Sequence, residues 1–257
     1  MKNQTPFFTL VTCCYNRTRF LDECLKSIEK QSFKNFEHVI IDGFSTDGTY
    51  DMVLSYKEKK KTYPVRIIQS PPKGISNAFN IGINHSKGQY LILINSDDYL
   101  YNEHSLESAY NILKENPEIM WLQGLTCFNI KDKEHFFSNR RLLKPFYPLI
   151  VSCHCPVNHQ AAVVHRDVYR KYGGFDENHI THMDTELMIR LFGKVNIDFA
   201  DIKLGVWRAH NDAMTVALPF FRTYLKNMKM LYKKHGNIPI VSTISKYRKY
   251  KGTLHSV

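Results

Sequence analysis

The stretch Leu91–Asp98, read L-I-L-I-N-S-D-D, limits what this chain can become more than any other. Its apolar run, bounded by Gly88 on one side and a polar step on the other, predicts a short strand buried on both faces. Asp97 and Asp98 then stand where that strand leaves the sheet, and open α/β sheets bind ligands outside the carboxyl ends of their strands. Adjacent carboxylates repel, and a cation, a shared proton or full solvation relieves them. A solvated turn opening a helix near Glu103 is the plain alternative, and the pair alone leaves both readings open.

The preceding residues supply the frame for that strand. Phe7 to Cys14 is an apolar, β-branched run followed by the loop Tyr15-Asn16-Arg17. Phe20, Leu21, Cys24, Leu25 and Ile28 then share one helical face, opposite Asp22, Glu23, Lys26 and Glu29. The pattern repeats: Phe36 to Ile41 is a strand ending in Asp42, and Ser45 or Thr46 is expected to cap a helix running to about Lys60. Val65 to Ile68 is the next strand, Pro71-Pro72-Lys73-Gly74 a stiff loop, and Ser76 or Asn77 the expected cap of a helix ending near Gly88. Strands alternating with helices at this spacing predict parallel pairing with right-handed crossovers. Tyr15, Asp42, Lys73 and the Asp97/Asp98 pair should therefore line one crevice. No G-x-G-x-x-G and no G-x-x-x-x-G-K is present, which speaks against dinucleotide-binding and P-loop readings. Taken singly, Asp42 could close an Asx-turn and Lys73 could be solvated.

Past Asp98 the alternation loosens. A helix is expected from about Glu103 to Asn116, stopped by Pro117, and then a strand over Ile119 to Phe128. Lys131 to Pro148 is basic, aromatic and without period, and reads as a substrate-side loop. Cys153-His154-Cys155 with His159 hints at zinc but lacks the paired ligand spacing of structural sites. A short strand over Ala161 to Val164 and a short helix over Asp167 to Tyr172 precede Gly173-Gly174. In the helix from Asp184 to Leu191, Leu187, Met188, Ile189 and Leu191 form a buried flank. Asp184 and Glu186 sit in its first turn, where the helix dipole favours carboxylates whether or not they do chemistry.

The chain has 257 residues, long enough for a substantial core, and a formal net charge of +11 that calls for anionic company. Its tail from Ala213 to Val257 has no acidic residue. The tail's helical part sets Phe221, Tyr224, Leu225, Met228, Leu231 and Tyr232 beside a row of lysines. Such a face either packs on the body or docks on acidic lipid head groups. Irregularly placed cysteines make no secreted disulfide framework, and no apolar run approaches membrane-spanning length. These features together predict a cytoplasmic protein, with a peripheral place at the inner face of the cell membrane open to it.

The motifs V-T-C-C-Y-N-R (11–17), I-I-D-G-F-S-T-D-G-T (40–49), K-G-I-S-N-A-F-N-I-G (73–82), N-S-D-D (95–98), H-Q (159–160), G-G-F-D-E (173–177) and M-D-T-E-L-M-I-R-L (183–191) occur in this order. Together they resemble a family 2 glycosyltransferase of the GT-A fold, the inverting class that uses nucleotide sugars and includes polysaccharide biosynthesis enzymes. The resemblance implies an α/β fold with a mixed, mostly parallel sheet flanked by helices. It implies a transferase domain over residues 1–215, with a nucleotide-binding half at 1–100 and an acceptor-binding half at 101–215. A basic helical extension follows over 216–257. By the same resemblance Asp42 holds the base or ribose and Tyr15 flanks the base, with Thr12, Arg17, Lys73, Asn77 and Asp97 also on the donor. Asp97 and Asp98 match the metal-binding acidic pair, Asp98 the more direct contact, and His210 matches a further metal or diphosphate ligand. Asp184 matches the base that deprotonates the acceptor hydroxyl. The implied cofactor is a divalent cation, Mn2+ or Mg2+. The implied partners are a nucleotide-sugar donor, UDP-sugar by expectation, and a glycan or lipid-linked acceptor. An anionic membrane surface and an oligomer are allowed, and nucleic acid is not expected. Cys14, Phe44 and Asn77 depart from the residues common at their positions (Thr, Gly or Ser, and Asp), and the last two bear on sugar and base preference.

Chemistry asks for these residue types independently. A nucleoside diphosphate leaves only if its developing charge is neutralised, which a hard cation on carboxylate oxygens can do. An acceptor hydroxyl needs a carboxylate within hydrogen-bond reach to take its proton. Three rival readings are set against this one. A nucleotidyltransferase would share the acidic site but usually carries a glycine-rich basic loop where Tyr15-Asn16-Arg17 stands. A nucleic-acid-binding protein rests on charge alone, without a recognisable binding module. A degenerate transferase would bind donor without turnover.

Overall fold

The computed structural model describes residues 5–59, 61–130, 133–137, 158–179, 183–191 and 193–210. The tail beyond 210 and the Cys153-His154-Cys155 segment lie outside them. Strands β1 (Phe8–Cys14), β2 (Phe36–Asp42), β3 (Val65–Gln69) and β4 (Tyr90–Asn95) alternate with helices α1 (Thr18–Glu29), α2 (Thr49–Glu58) and α3 (Ile75–His85). All four strands run parallel, in the order β3-β2-β1-β4. The chain continues through β5 (Tyr99–Leu100), α4 (Ser105–Glu115), β6 (Trp121–Ile130), β7 (Lys133–Phe137), a 3-10 turn (His159–Ala161), β8 (Ala162–His165), α5 (Arg166–Tyr172), α6 (Met183–Leu191) and β9 (Asp198–Ala209). From β4 the sheet proceeds β8-β6-β9-β5, with β7 paired to β6. β8 is antiparallel to both β4 and β6, and β9 is parallel to β6. The expected mixed, mostly parallel sheet is what forms.

Two apolar layers hold the sheet between helices. Val11, Val39, Leu91 and Leu93 pack with Phe79, Val168 and Leu187 from α3, α5 and α6. Leu10, Ile40, Ile92 and Ile94 pack with Leu21, Val53 and Leu106 from α1, α2 and α4. The predicted buried face of α1 is the one found, and β1, β2 and most of β4 are buried on both sides. Within the second layer the fully buried His38 accepts no charge. Its ring nitrogens lie 2.9 Å from Thr12 Oγ1 and 3.2 Å from Tyr56 Oη, and burial, with Lys61 nearby, lowers its pKa to about 3.

Local expectations differ from the structure at several points. Neither α2 nor α3 has a side-chain cap: Gly48 and Gly74 occupy the cap positions. Ser45 and Ser76 instead spend their hydroxyls on longer-range ties, to Asn16 N (3.0 Å) and to the carbonyl of His179 (3.1 Å). Part of the basic segment after Lys131 is strand, since β7 forms a hairpin with β6. β9 gave no sequence signal because Asp201 and Lys203 interrupt its apolar run. Both are exposed, while Phe199, Leu204 and Val206 are buried.

Candidate active site

Strand register brings the predicted residues to one edge. Cys14 at the end of β1 pairs with Asp42, Cys13 with Asn95, and Asp42 with Gln69. The loops leaving β1, β2 and β4 therefore open on the same side, as parallel pairing requires. The thiols of Cys13, Cys14 and Cys24 beside this edge are pushed up in pKa by burial, which favours the protonated form.

The loops after β1 and β2 are tied to each other. Gly43 N donates to Cys14 O (2.9 Å), Asn16 N to Ser45 Oγ (3.0 Å), and Thr46 N to Asn16 Oδ1 (2.9 Å). Arg17 N donates to Thr49 Oγ1 (2.7 Å) and Thr18 N to Asp47 Oδ2 (3.2 Å). Asp42 is fully buried beneath them, its Oδ2 accepting from Ser45 N and Gln69 Nε2, each at 3.2 Å. Tyr15 and Phe44 protrude above, 51% and 50% exposed.

After β4 the two neighbouring carboxylates differ in surroundings. Asp98 is buried and accepts from Asn95 Nδ2 (2.8 Å), Gln160 Nε2 (2.9 Å) and the backbone N–H of Arg208 (3.1 Å). Burial, and then the charge of Asp97, push its pKa up to about 6 against the pull of those donors. Asp97 is the more open of the two, and His210 Nε2 donates to its Oδ2 at 3.0 Å. The His210 ring stacks on Phe20 at 4.3 Å between centroids. Arg208 pairs with Glu23 and lies over Phe20 and Tyr99, at 5.1 and 5.0 Å. Gly205 of β9 is needed for this approach, since a Cβ there would stand 2.0 Å from the carbonyl oxygen of Gln160.

A path leads from Asp98 towards Asp184, hydrogen-bonded as far as His159. Asn95 Nδ2 also reaches His159 Nε2 at 3.1 Å. Its amide nitrogen faces the Asp98 carboxylate, as an anionic acceptor requires, so His159 Nε2 accepts and the ring proton sits on Nδ1. That Nδ1 is buried, lacks a hydrogen-bond partner among the described residues, and lies 4.0 Å from Asp184 Oδ2. Asp184, part-exposed at the start of α6, accepts at Oδ1 from Thr185 N (2.8 Å). Leu93, Trp121, Phe175, Leu187 and Met188 line an apolar hollow beneath Asp184 and His159. Glu186, two residues on, faces the core and pairs with Arg190, which also binds the carbonyls of Tyr172, Gly173 and Gly174.

Asp42, Asp97, Asp98, His210 and Asp184 thus gather at or beside one sheet edge, with Tyr15 and Arg17 in the loop leaving β1. Thr12 does not join them. It lies within β1, fully buried, with its hydroxyl at His38. Asn77 donates to Glu177 Oε2 (2.9 Å), tying α3 to the segment before α6, and Lys73 is exposed on the loop ahead of α3. Asn95, Gln160 and the backbone of Arg208 carry no role in the motifs, although H-Q is one of them; their shared acceptor, Asp98, is visible only in space. Among the described residues no cluster of three or more His, Cys, Asp or Glu is placed to hold a metal. A site completed by substrate phosphates remains compatible with the donor set, because Mg2+-type sites use one or two protein carboxylates plus phosphate oxygens. Asp97 offers such a carboxylate, with the His210 imidazole beside it.

The model of glycosyl transferase family 2 matches residues 9–173, well over half of the chain. An uncharacterized glycosyltransferase of Rickettsia typhi is 25% identical over 226 residues, covering 84% of this chain and 68% of its own. Several other curated relatives match over less than half of their length. Among solved structures, Staphylococcus aureus TarS 1-349 in complex with UDP-GlcNAc superposes with a TM-score of 0.70 at 18% identity, covering 87% of this chain and 66% of that one. The mannosyltransferase PcManGT of Pyrobaculum calidifontis, in complex with GDP-Man and Mn2+, does so with a TM-score of 0.64 at 16% identity, covering 87% and 65%. The fold is the GT-A fold.

Proposed function

The chain belongs to glycosyl transferase family 2, and on that premise we propose that it moves a sugar from a nucleotide-sugar donor, a UDP-sugar by preference, to a hydroxyl of a glycan or lipid-linked acceptor with inversion at the anomeric carbon. The observation that carries the reading is the chain of contacts from Asp98 through Asn95 and His159 to within 4.0 Å of Asp184, because it places a donor-side carboxylate and an acceptor-side carboxylate beside one sheet edge. The neighbours solved with UDP-GlcNAc and GDP-Man support a nucleotide-sugar donor.

Asp184 takes the proton of the acceptor hydroxyl as its oxygen bonds the anomeric carbon from the face opposite the nucleoside diphosphate, which leaves. His159 Nδ1–H faces the same carboxylate at 4.0 Å. Asp42, beneath Tyr15, has its Oδ2 held by Ser45 N and Gln69 Nε2 and offers its Oδ1 to the N–H edge of a base or to a ribose hydroxyl. Asp97 and His210 would hold a divalent cation, Mn2+ or Mg2+, and such an ion supplies positive charge to the departing diphosphate when bound. Asp98, buried among its donors, is assigned to holding Asn95, Gln160 and β9 in place, and Asp97 to the open side. The excess of Lys and Arg steers the anionic donor, and the basic residues beyond 213 attach the enzyme to the inner face of the cell membrane.

A panel of nucleotide sugars scored for Mn2+-dependent nucleotide release tests the proposal, since slow donor hydrolysis reveals the donor without the acceptor. Release of UDP from one or a few UDP-sugars is expected. Release of pyrophosphate from a nucleoside triphosphate and a sugar phosphate, with no nucleotide release, would overturn it.

A further inference from the structure

We propose that Phe44 is a nucleobase-stacking residue: its ring and that of Tyr15 form two walls between which the donor's base lies. The inference rests on the nucleotide-sugar reading given above. Among the described residues Tyr15 and Phe44 are the large hydrophobic side chains left exposed, and they stand on adjoining loops over Asp42. Gly43 is what lets those loops meet, since a Cβ there would lie 2.9 Å from Tyr15 Cδ2 and 3.1 Å from Tyr15 Cβ. The Tyr15 ring thus rests against the turn that presents Phe44.

The backbone of Phe44 has φ +58°, a left-handed conformation that a bulky side chain rarely adopts. Asn16, facing it, has φ +53°. Strained positions of this kind persist only where their surroundings over-determine them, and these do. Gly43 N is held by Cys14 O, Ser45 N by Asp42 Oδ2, Ser45 Oγ by Asn16 N, and Thr46 N by Asn16 Oδ1, so both neighbours of Phe44 and the residue beyond are pinned. The outcome of that bracing is a half-exposed aromatic ring above a buried carboxylate. Core packing gains little from such a ring, whereas a base, which has a π-face whatever its identity, gains a stacking surface. Asp42 below would read the base's edge while Phe44 and Tyr15 grip its faces.

The test is calorimetric binding of UDP with Mn2+ to the full chain and to Phe44→Ala, Phe44→Leu, Phe44→Tyr and Phe44→Gly, with thermal melting of each. Loss of the ring in the Ala, Leu and Gly variants should weaken UDP about tenfold or more. Phe44→Tyr should stay within about twofold, because the π-face is kept. Phe44→Gly should melt at or above the wild-type temperature, because glycine adopts positive φ without strain. Competition by inorganic pyrophosphate, which has no base, should be alike in all. Wild-type UDP affinity in Phe44→Ala or Phe44→Leu would overturn the inference and leave the transferase reading intact. A large drop in melting temperature for Gly and Tyr alike would give the ring a structural role and overturn it. If the wild-type chain binds neither UDP nor GDP with Mn2+, the donor reading fails and this inference fails with it.

Discussion

His210 Nε2 lies 3.0 Å from Asp97 Oδ2, joining residues 113 positions apart in the chain. β9 delivers this histidine, and it can do so because the Arg208 amide that precedes it docks on Asp98. The two adjacent aspartates are thereby divided between an outward-facing pair and an inward-facing anchor.

Substitution should separate those duties. Asp97→Asn is expected to abolish Mn2+-dependent UDP retention with little change in melting, and His210→Ala to weaken it at least tenfold. Asp98→Ala strips the acceptor from buried donors of Asn95, Gln160 and Arg208, so it should cost about 2–4 kcal/mol of stability. An Asp98→Ala variant that unfolds like wild type would refute the division.

Asp184→Asn should leave UDP binding unchanged and reduce transfer by about a hundredfold or more, because an amide cannot take the acceptor's proton. The readout is single-turnover transfer beside equilibrium donor binding. A near-wild-type rate would remove Asp184 as the base.

Stability should fall as the solution is acidified. His38 titrates near pH 3 in the folded protein and near its ordinary value of 6.5 when unfolded, so between those values the unfolded chain binds the extra proton and acid favours unfolding. Asp98, raised to about 6, acts in the opposite sense between its ordinary value of 3.8 and about 6, taking its proton first in the folded state. His38→Gln should therefore be less stable than wild type at pH 7.5, from lost hydrogen bonds, yet lose less on going from pH 6.5 to 4.5. Equal slopes in denaturant titrations would contradict the assignment.

Arg190→Met would leave the Glu186 carboxylate in the core without its guanidinium and release the Tyr172–Gly174 carbonyls. A loss of about 3–5 kcal/mol is expected. Adding Glu186→Gln should return part of it, and an additive or worse double variant would argue against the pair as the origin of the loss.

The basic tail bears on membrane attachment. Removal of residues 216–257 should abolish sedimentation with vesicles containing anionic phosphatidylserine. Equal sedimentation of full-length and shortened chains would dispose of the attachment.

Local pattern carried a large part of this protein. The runs Phe7–Cys14, Phe36–Ile41 and Leu91–Ile94 are too apolar for anything but buried strands, and the spacing between them admits helical crossovers, so the parallel half and its ligand-binding edge follow from sequence. The residues at that edge are legible for the same reason, because strand ends mark loops. What sequence could not state is how the two carboxylates of Asp97-Asp98 differ, since neighbours in a chain share composition and pattern. Tertiary structure made them different by bringing Gln160 and the Arg208 amide to one and His210 to the other. The partners of Thr12 and Glu186 were out of reach of pattern for the same reason: only the packed structure gives Thr12 to His38 and Glu186 to Arg190. β9 escaped detection because its charged residues interrupt the apolar period, and they are tolerated because that side of the strand meets solvent. Sequence alone thus determined the sheet and the edge where chemistry is possible. The fold alone decided which side chain at that edge is buried as scaffold and which is left open to a ligand, because burial and hydrogen-bond partnership are set by contacts between residues far apart in the chain.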